Sequence, residues 1–213
     1  MQEIIKKIEE SKIIVIVRGV QKEKLIPLAE AMYTGGIRVI ECTYDASGKT
    51  SDTQTSQNIE TLAKHFGDRM VIGAGTVITK KQVELTKKAG GRFIISPDTN
   101  TEVIKATKEL GLVSIPGALT PTEARAASLA GADFVKLFPV DLFGPKYIKT
   151  LSAPLSNIRF LAVNGISAEN MRDYLEAGAV GVGVGSGIVN KKLIEENNFE
   201  EITNLARKYT QNV

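Results

Sequence analysis

The chain has 213 residues, a formal net charge of +3, one cysteine and one histidine. Its basic residues are scattered and no basic stripe is interleaved with aromatic residues, which argues against nucleic acid as a partner and favours a small anionic ligand. Cys42 has no second cysteine for an intramolecular disulfide, and with His65 it provides no cluster of zinc or iron ligands, so we expect neither a metal nor another cofactor.

The first predicted element is an amphipathic, charged helix over residues 1–10. It lacks the apolar centre of a secretory signal, and no stretch of the chain reaches the ~20 apolar residues that span a bilayer. We therefore expect no membrane partner and a cytoplasmic location.

Short apolar runs rich in valine and isoleucine recur along the chain after this helix. Such runs are typical of parallel strands that are buried on both faces. Between them, apolar residues such as Leu25 and Leu28 repeat at the spacing of one helix face, and Thr79, Thr120 and Ser167 can cap the helices that follow them. The eight predicted strands cover residues 13–19, 37–44, 70–76, 92–97, 112–117, 134–139, 158–164 and 181–185.

Eight strand and helix repeats in a chain of this length predict a closed α/β barrel of the (β/α)8 or TIM type, with the N-terminal helix as an addition. No change of composition marks a second domain, so the prediction is one domain over residues 1–213. In this architecture the active site lies at the carboxyl ends of the strands. The candidate residues at those ends are Arg18, Glu41, Thr43, Thr76, Pro97, Pro116, Lys136, Phe138, Asn164, Gly165, Gly185 and Ser186.

Lys136 is the most informative of these candidates, because it interrupts the apolar strand DFVKLFP at residues 133–139. Burial of an unpaired ammonium group is costly, so the pKa of a desolvated lysine falls well below its reference value of roughly 10.4. The neutral amine that results can attack a carbonyl group and form a Schiff base. The alternative is a structural lysine that reaches the surface or pairs with a neighbouring carboxylate such as Asp133.

Glu41 interrupts a second strand of β-branched residues in the same way. Schiff-base chemistry requires protons to move on the carbinolamine oxygen and beside the carbonyl carbon, and a partly desolvated carboxylate can be tuned for both transfers. Glu41 is therefore the predicted general acid and base. The alternative is a structural ion pair with Arg18 or Lys136.

Glycine-rich turns follow the last two predicted strands, with the sequences VNGIS at residues 163–167 and GVGVGSG at 181–187. Turns after strands seven and eight of this fold present backbone N–H groups that commonly bind phosphate, which we favour over a purely structural turn. Cys42 alternates with Glu41 across the pleat and is predicted to pack outside the barrel. His65 falls near the end of a helix, where the helix dipole favours it, and it is assigned no catalytic role.

Several of these segments together resemble the KHG/KDPG aldolase family, the 2-keto-3-deoxy-6-phosphogluconate (KDPG) and 4-hydroxy-2-oxoglutarate (KHG) aldolases. They are GGIRVIECT at 35–43, IGAGTV at 72–77, ISP at 95–97, IPG at 115–117, FVKLFP at 134–139 and the two glycine turns. The resemblance follows the chain in order over nearly its whole length. It implies a class I aldolase that cleaves KDPG to pyruvate and glyceraldehyde 3-phosphate without a metal, usually as a homotrimer.

The resemblance also implies roles for individual residues. Lys136 would form the Schiff base and Glu41 would transfer protons. Thr76 would bind the pyruvyl carboxylate. Phe138 and Pro97 would form the wall of the site. Gly165 and Ser186, flanked by Asn164 and Gly185, would hold the substrate phosphate.

The chain departs from the family pattern at two positions. Many members carry an arginine four residues after the catalytic glutamate, where this chain has Asp45, whose charge would repel a carboxylate. Arg18 could supply the missing cation, since a guanidinium binds a carboxylate through two hydrogen bonds. Asn164 stands in the first glycine turn where the common pattern is Thr-Gly-Gly, and its side chain would crowd a phosphate.

Three alternative functions stay open from the sequence. Residues 143–149, FGPKYIK, resemble the galactonate branch of the family, so the C4 epimer 2-keto-3-deoxy-6-phosphogalactonate is a possible substrate. An aldolase for shorter or unphosphorylated keto acids such as 4-hydroxy-2-oxoglutarate is the second. The third is a barrel that binds phosphate without catalysis and uses Lys136 only as an ion-pair partner.

Overall fold

The computed structural model describes all 213 residues, and it contains nine strands and ten α-helices. The strands are β1 (Ile13–Val17), β2 (Val39–Thr43), β3 (Val71–Gly75), β4 (Phe93–Ile95), β5 (Val113–Ile115), β6 (Gly117–Ala118), β7 (Val135–Leu137), β8 (Phe160–Val163) and β9 (Gly181–Val184). The helices are α1 (Gln2–Ser11), α2 (Lys22–Thr34), α3 (Asp52–Phe66), α4 (Lys80–Lys88), α5 (Thr101–Glu109), α6 (Pro121–Leu129), α7 (Pro145–Ser152), α8 (Met171–Glu176), α9 (Lys191–Glu195) and α10 (Phe199–Thr210).

All strand pairs are parallel, in the order β5-β4-β3-β2-β1-β9-β8-β7-β6. The two ends of this order are β5, which lies within the predicted strand 112–117, and β6, which begins at its last residue and extends to Ala118, with Pro116 between them. β5 pairs with β4 and β6 pairs with β7, so this run closes the sheet into a barrel. The predicted single-domain TIM barrel is confirmed, with its fifth strand divided in two.

The split at Pro116 has a local cause. Proline has no N–H for a ladder hydrogen bond, although the Pro116 carbonyl still accepts one from the Lys136 N–H at 2.9 Å. The next residue, Gly117, passes so close to the Pro97 carbonyl that a Cβ atom there would lie 2.3 Å from its oxygen. The chain is therefore displaced at this point, and the change of partner strand follows.

Side chains alternate between two cores along each strand, as expected for strands buried on both faces. Those that point outward, such as Val15, Ile40 and Val135, join the helices in a core of 48 buried residues. Those that point inward, such as Ile14 and Phe134, form a separate core of 12 residues inside the barrel.

Helix α1 belongs to the inner core, because Ile4, Ile5 and Ile8 pack against the inward side chains of the strands. The three isoleucines are at most 4% exposed, and burial of each contributes roughly 1.5–3 kcal/mol to stability. The helix therefore closes the amino-terminal end of the barrel, and only the carboxyl-terminal end stays open.

The predicted caps are present at two of three helices. The hydroxyl groups of Thr79 and Thr120 accept hydrogen bonds from the backbone at the start of α4 and α6. The prediction for Ser167 was wrong in register: its hydroxyl accepts from Glu169 and Asn170, so it closes a turn, and α8 begins only at Met171. No helix has the length and apolar character to cross a membrane.

Candidate active site

One cavity of about 660 Å³ opens at the carboxyl ends of the strands. Of the twelve candidates at the strand ends, Thr43 and Pro116 do not line this cavity and the other ten do. These ten are Arg18, Glu41, Thr76, Pro97, Lys136, Phe138, Asn164, Gly165, Gly185 and Ser186. The cavity therefore brings together residues that lie on or just after β1, β2, β3, β4 and β7, and residues of the turns after β8 and β9.

Six further residues line the cavity without having been predicted: Ile16, Ala46, Val163, Ile166, Gly183 and Gly187. Ile16, Val163 and Gly183 lie one pleat below the predicted strand ends. The alternation of side chains along the strands was the signal that could have identified these three.

Lys136 points into the barrel from the middle of β7 and is only 9% exposed. Burial lowers the pKa of its amine below the ordinary value of 10.5, the charge of Arg18 lowers it further, and Glu41 opposes the shift. Its Nζ atom lies 4.6 Å from the centre of the Phe138 ring. Asp133, the alternative partner, instead pairs with Lys108 at 2.6 Å, so it does not neutralise Lys136.

Glu41 points inward from β2 and is 2% exposed. Its Oε1 atom accepts a hydrogen bond of 3.3 Å from the Thr43 hydroxyl, whereas Oε2 has no hydrogen-bond partner. Burial raises the pKa of the carboxyl group, against the opposing effects of Lys136, Thr43 and Arg18. No hydrogen bond joins it to Arg18 or Lys136, so the structure does not show the ion pair considered as the alternative.

The floor beneath these two groups is apolar. Ile14, Ile95, Ile115 and Leu161 enclose a cavity of about 10 Å³ below Glu41 and Lys136. Few polar atoms are therefore available to solvate either charge from below, and this is the physical reason why burial dominates both pKa shifts.

Space for the Glu41 carboxylate is created by the absence of a side chain at Gly75 of β3. A Cβ atom at this position would lie 2.1 Å from Oε1 and 2.8 Å from Oε2 of Glu41. Because these contacts are too short for any residue other than glycine, Gly75 fixes where the carboxylate can lie.

The predicted role of Glu41 in proton transfer makes Gly75→Ala a test: we expect the activity that the resemblance implies, pyruvate release from a keto-acid substrate, to fall by about 100-fold, because displacement of a reacting group by ~1 Å has an effect of this size. Circular dichroism and thermal unfolding verify that the barrel is intact. Activity within threefold of the wild-type value in a folded variant would contradict this role of Gly75.

Arg18 and Thr76 lie side by side on the rim of the cavity. The Arg18 Nη2 atom donates a hydrogen bond of 3.1 Å to the Thr76 hydroxyl. Thr76 has a φ of 54°, which is strained for a β-branched residue, and this conformation directs its side chain toward Arg18 immediately after β3. The pair presents a guanidinium and a hydroxyl group to the same part of the cavity.

Asp45 does not line the cavity, contrary to the expected repulsion of a carboxylate there. Its side chain accepts hydrogen bonds from the Ser47 hydroxyl at 2.6 Å, the Ser47 N–H at 2.9 Å and the Thr50 N–H at 2.9 Å. These bonds lower the pKa of Asp45, with the Ser47 hydroxyl the main cause. Asp45 therefore closes its own loop, and Ala46 faces the cavity instead.

The turn after β8 contains two successive residues with positive φ, Asn164 at 88° and Gly165 at 67°. The Asn164 side chain donates a hydrogen bond of 2.7 Å to Asp141, a contact that the sequence did not reveal. This bond holds the amide that was expected to crowd a phosphate. Gly165 packs directly on Asp141, because a Cβ atom there would lie 2.4 Å from the Asp141 Cβ.

Six backbone N–H groups of the two glycine turns donate no hydrogen bond within the protein. They belong to Asn164, Gly165, Ile166, Gly185, Ser186 and Gly187. By contrast, the next N–H groups after the second turn, those of Ile188 and Val189, both donate to the Gly185 carbonyl. Free N–H groups on two adjacent turns can bind an anionic group of a ligand.

Two residues that were predicted to lie outside the site do so. Cys42 is buried in the outer core, and burial raises the pKa of its thiol to about 12. His65 lies in the last turn of α3, where it contacts Glu30 at 2.6 Å. No three histidine, cysteine, aspartate or glutamate side chains are grouped closely enough to hold a metal ion.

Known proteins resemble the chain over nearly its full length. It is 32% identical over 202 residues to the 2-dehydro-3-deoxy-6-phosphogalactonate aldolase of Escherichia coli K12, which covers 94% of this chain and 96% of the relative. It is 33% identical over 208 residues to the 2-dehydro-3-deoxy-phosphogluconate aldolase of Haemophilus influenzae, which covers 97% and 95% of the two chains.

Solved structures give the same result. A KDPG aldolase from Legionella pneumophila, with pyruvate captured as a covalent carbinolamine, matches with a TM-score of 0.83 and 32% identity over 92% of this chain and 93% of that one. A cube-shaped cage designed by fusing symmetric oligomeric domains matches with a TM-score of 0.84 and 32% identity, over 94% of this chain and 71% of that one.

The family model described as "KDPG and KHG aldolase" matches residues 4–205. This match extends from helix α1 through all nine strands into α10, and so contains every residue of the cavity. The chain therefore belongs to the KDPG and KHG aldolase family.

Proposed function

We propose that the protein is a class I aldolase that cleaves 2-keto-3-deoxy-6-phosphogluconate into pyruvate and glyceraldehyde 3-phosphate through an imine on Lys136. The observation that carries this proposal is the buried Lys136 amine, whose pKa is lowered, in the same cavity as the buried carboxyl group of Glu41. A nucleophilic amine beside a group that exchanges protons is the minimum that imine chemistry requires.

In the proposed reaction the neutral Lys136 amine attacks the C2 carbonyl carbon of the substrate. Glu41 transfers the protons that convert the carbinolamine into a protonated imine and release water. The imine nitrogen then withdraws the electron pair of the C3–C4 bond as that bond breaks, while the Glu41 carboxylate takes the proton of the C4 hydroxyl group. The remaining enamine is protonated at C3, and hydrolysis frees pyruvate and restores the amine.

Arg18 and Thr76 are the proposed site for the substrate carboxylate. Their side chains share a hydrogen bond, and the guanidinium can form two parallel hydrogen bonds with a carboxylate. The unpartnered N–H groups of the two glycine turns are the proposed site for the phosphate at the other end of the substrate. Pro97 and Phe138 also line the cavity and are the proposed wall of the site.

We expect Arg18→Ala to raise the KM for pyruvate in the aldol addition direction by about 10- to 100-fold, which corresponds to the loss of hydrogen bonds to a charged group. Arg18→Lys is the matched control, since it keeps the charge but loses the paired hydrogen bonds, and an intermediate KM is expected. An unchanged KM in Arg18→Ala would remove Arg18 from the site.

The identity of the sugar acid is tested by rates of pyruvate release. The substrates to compare are KDPG, its galactonate epimer, the unphosphorylated gluconate analogue and 4-hydroxy-2-oxoglutarate. The galactonate epimer is the second candidate substrate, because residues 143–149 resemble that branch and the E. coli relative carries the galactonate name. Sugar-phosphate binding without pyruvate release would instead favour the barrel that binds phosphate without catalysis.

The proposal includes metal-independent activity in the cytoplasm and a homotrimer. Activity is expected to survive dialysis against EDTA, because the imine nitrogen, rather than a metal, withdraws the electrons. Trimer formation is supported by the family resemblance and by the designed cage of oligomeric domains. Light scattering is expected to give three times the chain mass of 23.0 kDa.

A further inference from the structure

Thr43 is the last residue of β2 and lies two positions after Glu41, so both side chains point into the barrel. The hydroxyl group of Thr43 is the only hydrogen-bond partner of the Glu41 carboxylate, and it contacts Oε1 alone. Oε2 is the one buried side-chain nitrogen or oxygen atom of the structure without a partner. The two carboxylate oxygens are therefore in different environments.

The opposite side of the carboxylate is limited by the backbone of β3. Gly75 pairs with Thr43 in the parallel ladder, and the space that a Cβ would take at Gly75 is occupied by the Glu41 carboxylate. The carboxylate thus lies between a hydroxyl group that binds Oε1 and a strand that prevents it from moving away. Rotation that would exchange the two oxygens requires breaking the hydrogen bond from Thr43.

We propose that Thr43 is a positioning residue that holds Oε1 of Glu41 and thereby leaves Oε2 as the atom that exchanges protons with the substrate. The inference rests on the proposed role of Glu41. An oxygen that already accepts a hydrogen bond is the less basic of the two, so a proton from the C4 hydroxyl goes to Oε2. The same bond stabilises the carboxylate form and so lowers its pKa, in opposition to burial.

A purely structural role for Thr43 would depend on its volume, whereas the positioning role depends on its hydroxyl group. Thr43→Val keeps the shape of the side chain and removes the hydroxyl. Thr43→Ser keeps the hydroxyl and removes a methyl group. A positioning role therefore predicts that Thr43→Val loses activity and Thr43→Ser keeps it, whereas a purely structural role predicts the reverse.

We expect Thr43→Val to lower kcat for cleavage by about 10- to 100-fold, from the loss of one hydrogen bond to a charged group, with little change in KM. The acid limb of the pH profile of kcat should move upward by about one pH unit. The sign follows because the carboxylate form is the active base, and loss of the hydrogen bond raises its pKa, so activity is lost at a higher pH. Thr43→Ser is expected to retain the wild-type limb.

A double-mutant cycle gives a second readout. In a Glu41→Gln background, Thr43→Val is expected to add less than a threefold loss, because the hydroxyl acts through the carboxylate. Thermal unfolding checks that each variant is folded. If the valine variant does not fold, Thr43→Ala replaces it in the same measurements. The proposal is overturned if Thr43→Val keeps the wild-type pH limb, if Thr43→Ser loses as much as Thr43→Val, or if the losses are additive in the cycle.

Failure of the underlying aldolase assignment is distinguishable from failure of this inference. If the wild-type protein forms no borohydride-stable pyruvyl adduct and releases no pyruvate, the proposed function fails and the role of Thr43 fails with it. If the wild-type protein does both and the Thr43 variants behave as it does, only the positioning role fails.

Discussion

Treatment with pyruvate and borohydride is expected to leave a stable pyruvyl adduct on Lys136, detected by mass spectrometry of the intact protein and of its peptides. Borohydride reduces the imine to a secondary amine, so the adduct marks the residue that attacked the carbonyl. Because burial and Arg18 lower the pKa of this amine from 10.5, the reaction should persist at lower pH than for an ordinary lysine.

Lys136→Met is expected to form no adduct and to lose on the order of 10⁴-fold or more in kcat, as for the loss of other covalent nucleophiles. Lys149→Met is the matched control, since Lys149 is an exposed lysine on α7 outside the cavity. This control should give the full adduct and the full rate. An adduct on another lysine, or none on a folded wild-type protein, would refute the imine assignment.

The second large effect is expected for Glu41→Gln, which should lower kcat for cleavage by about 10²- to 10⁴-fold, the usual contribution of a general acid or base. Glutamine keeps the shape of the side chain and its contact with Thr43 but cannot take a proton. Imine formation with pyruvate should slow without being abolished, because water can carry protons inefficiently. Rates are measured by single-turnover trapping and by steady-state release of pyruvate.

Glu41→Asp is the control for this prediction, because it keeps an acidic group but withdraws it by one methylene. We expect it to retain more activity than the glutamine variant. If Glu41→Gln retained kcat within threefold of the wild-type value, proton transfer would have to be assigned to another group, and the unpartnered Oε2 would then have no catalytic explanation.

The barrel was predictable because buried parallel strands leave continuous apolar runs that helical segments separate. Seven of the eight predicted strands correspond to one observed strand each. The remaining one, the fifth predicted strand at residues 112–117, is divided because Pro116 cannot donate to the ladder and Gly117 must pass the Pro97 carbonyl. The Pro-Gly pair was a visible signal for the break, whereas the contact with Pro97 joins residues 20 positions apart and leaves no local pattern.

The position of the candidate site was also predictable, because the carboxyl ends of parallel strands meet at one end of a barrel and bring together residues that are distant in sequence. The side-chain contacts that determine the role of each residue could not be predicted from the sequence. Asp45 was expected to oppose a carboxylate, but it binds Ser47 and Thr50 within its own loop. Asn164 was expected to crowd a phosphate, but Asp141 holds its amide. Both outcomes depend on loop geometry rather than on residue type.

Helix α1 bears on the chemistry although it lies at the far end of the barrel from the cavity. Its isoleucines complete the inner core whose upper layer is the apolar floor below Glu41 and Lys136. A barrel open at both ends would admit water from beneath, and hydration would oppose the lowering of the Lys136 pKa. The first turns of the chain thus help to keep the barrel interior dry, and the lowered pKa of an amine in β7 depends in part on isoleucines more than a hundred positions away.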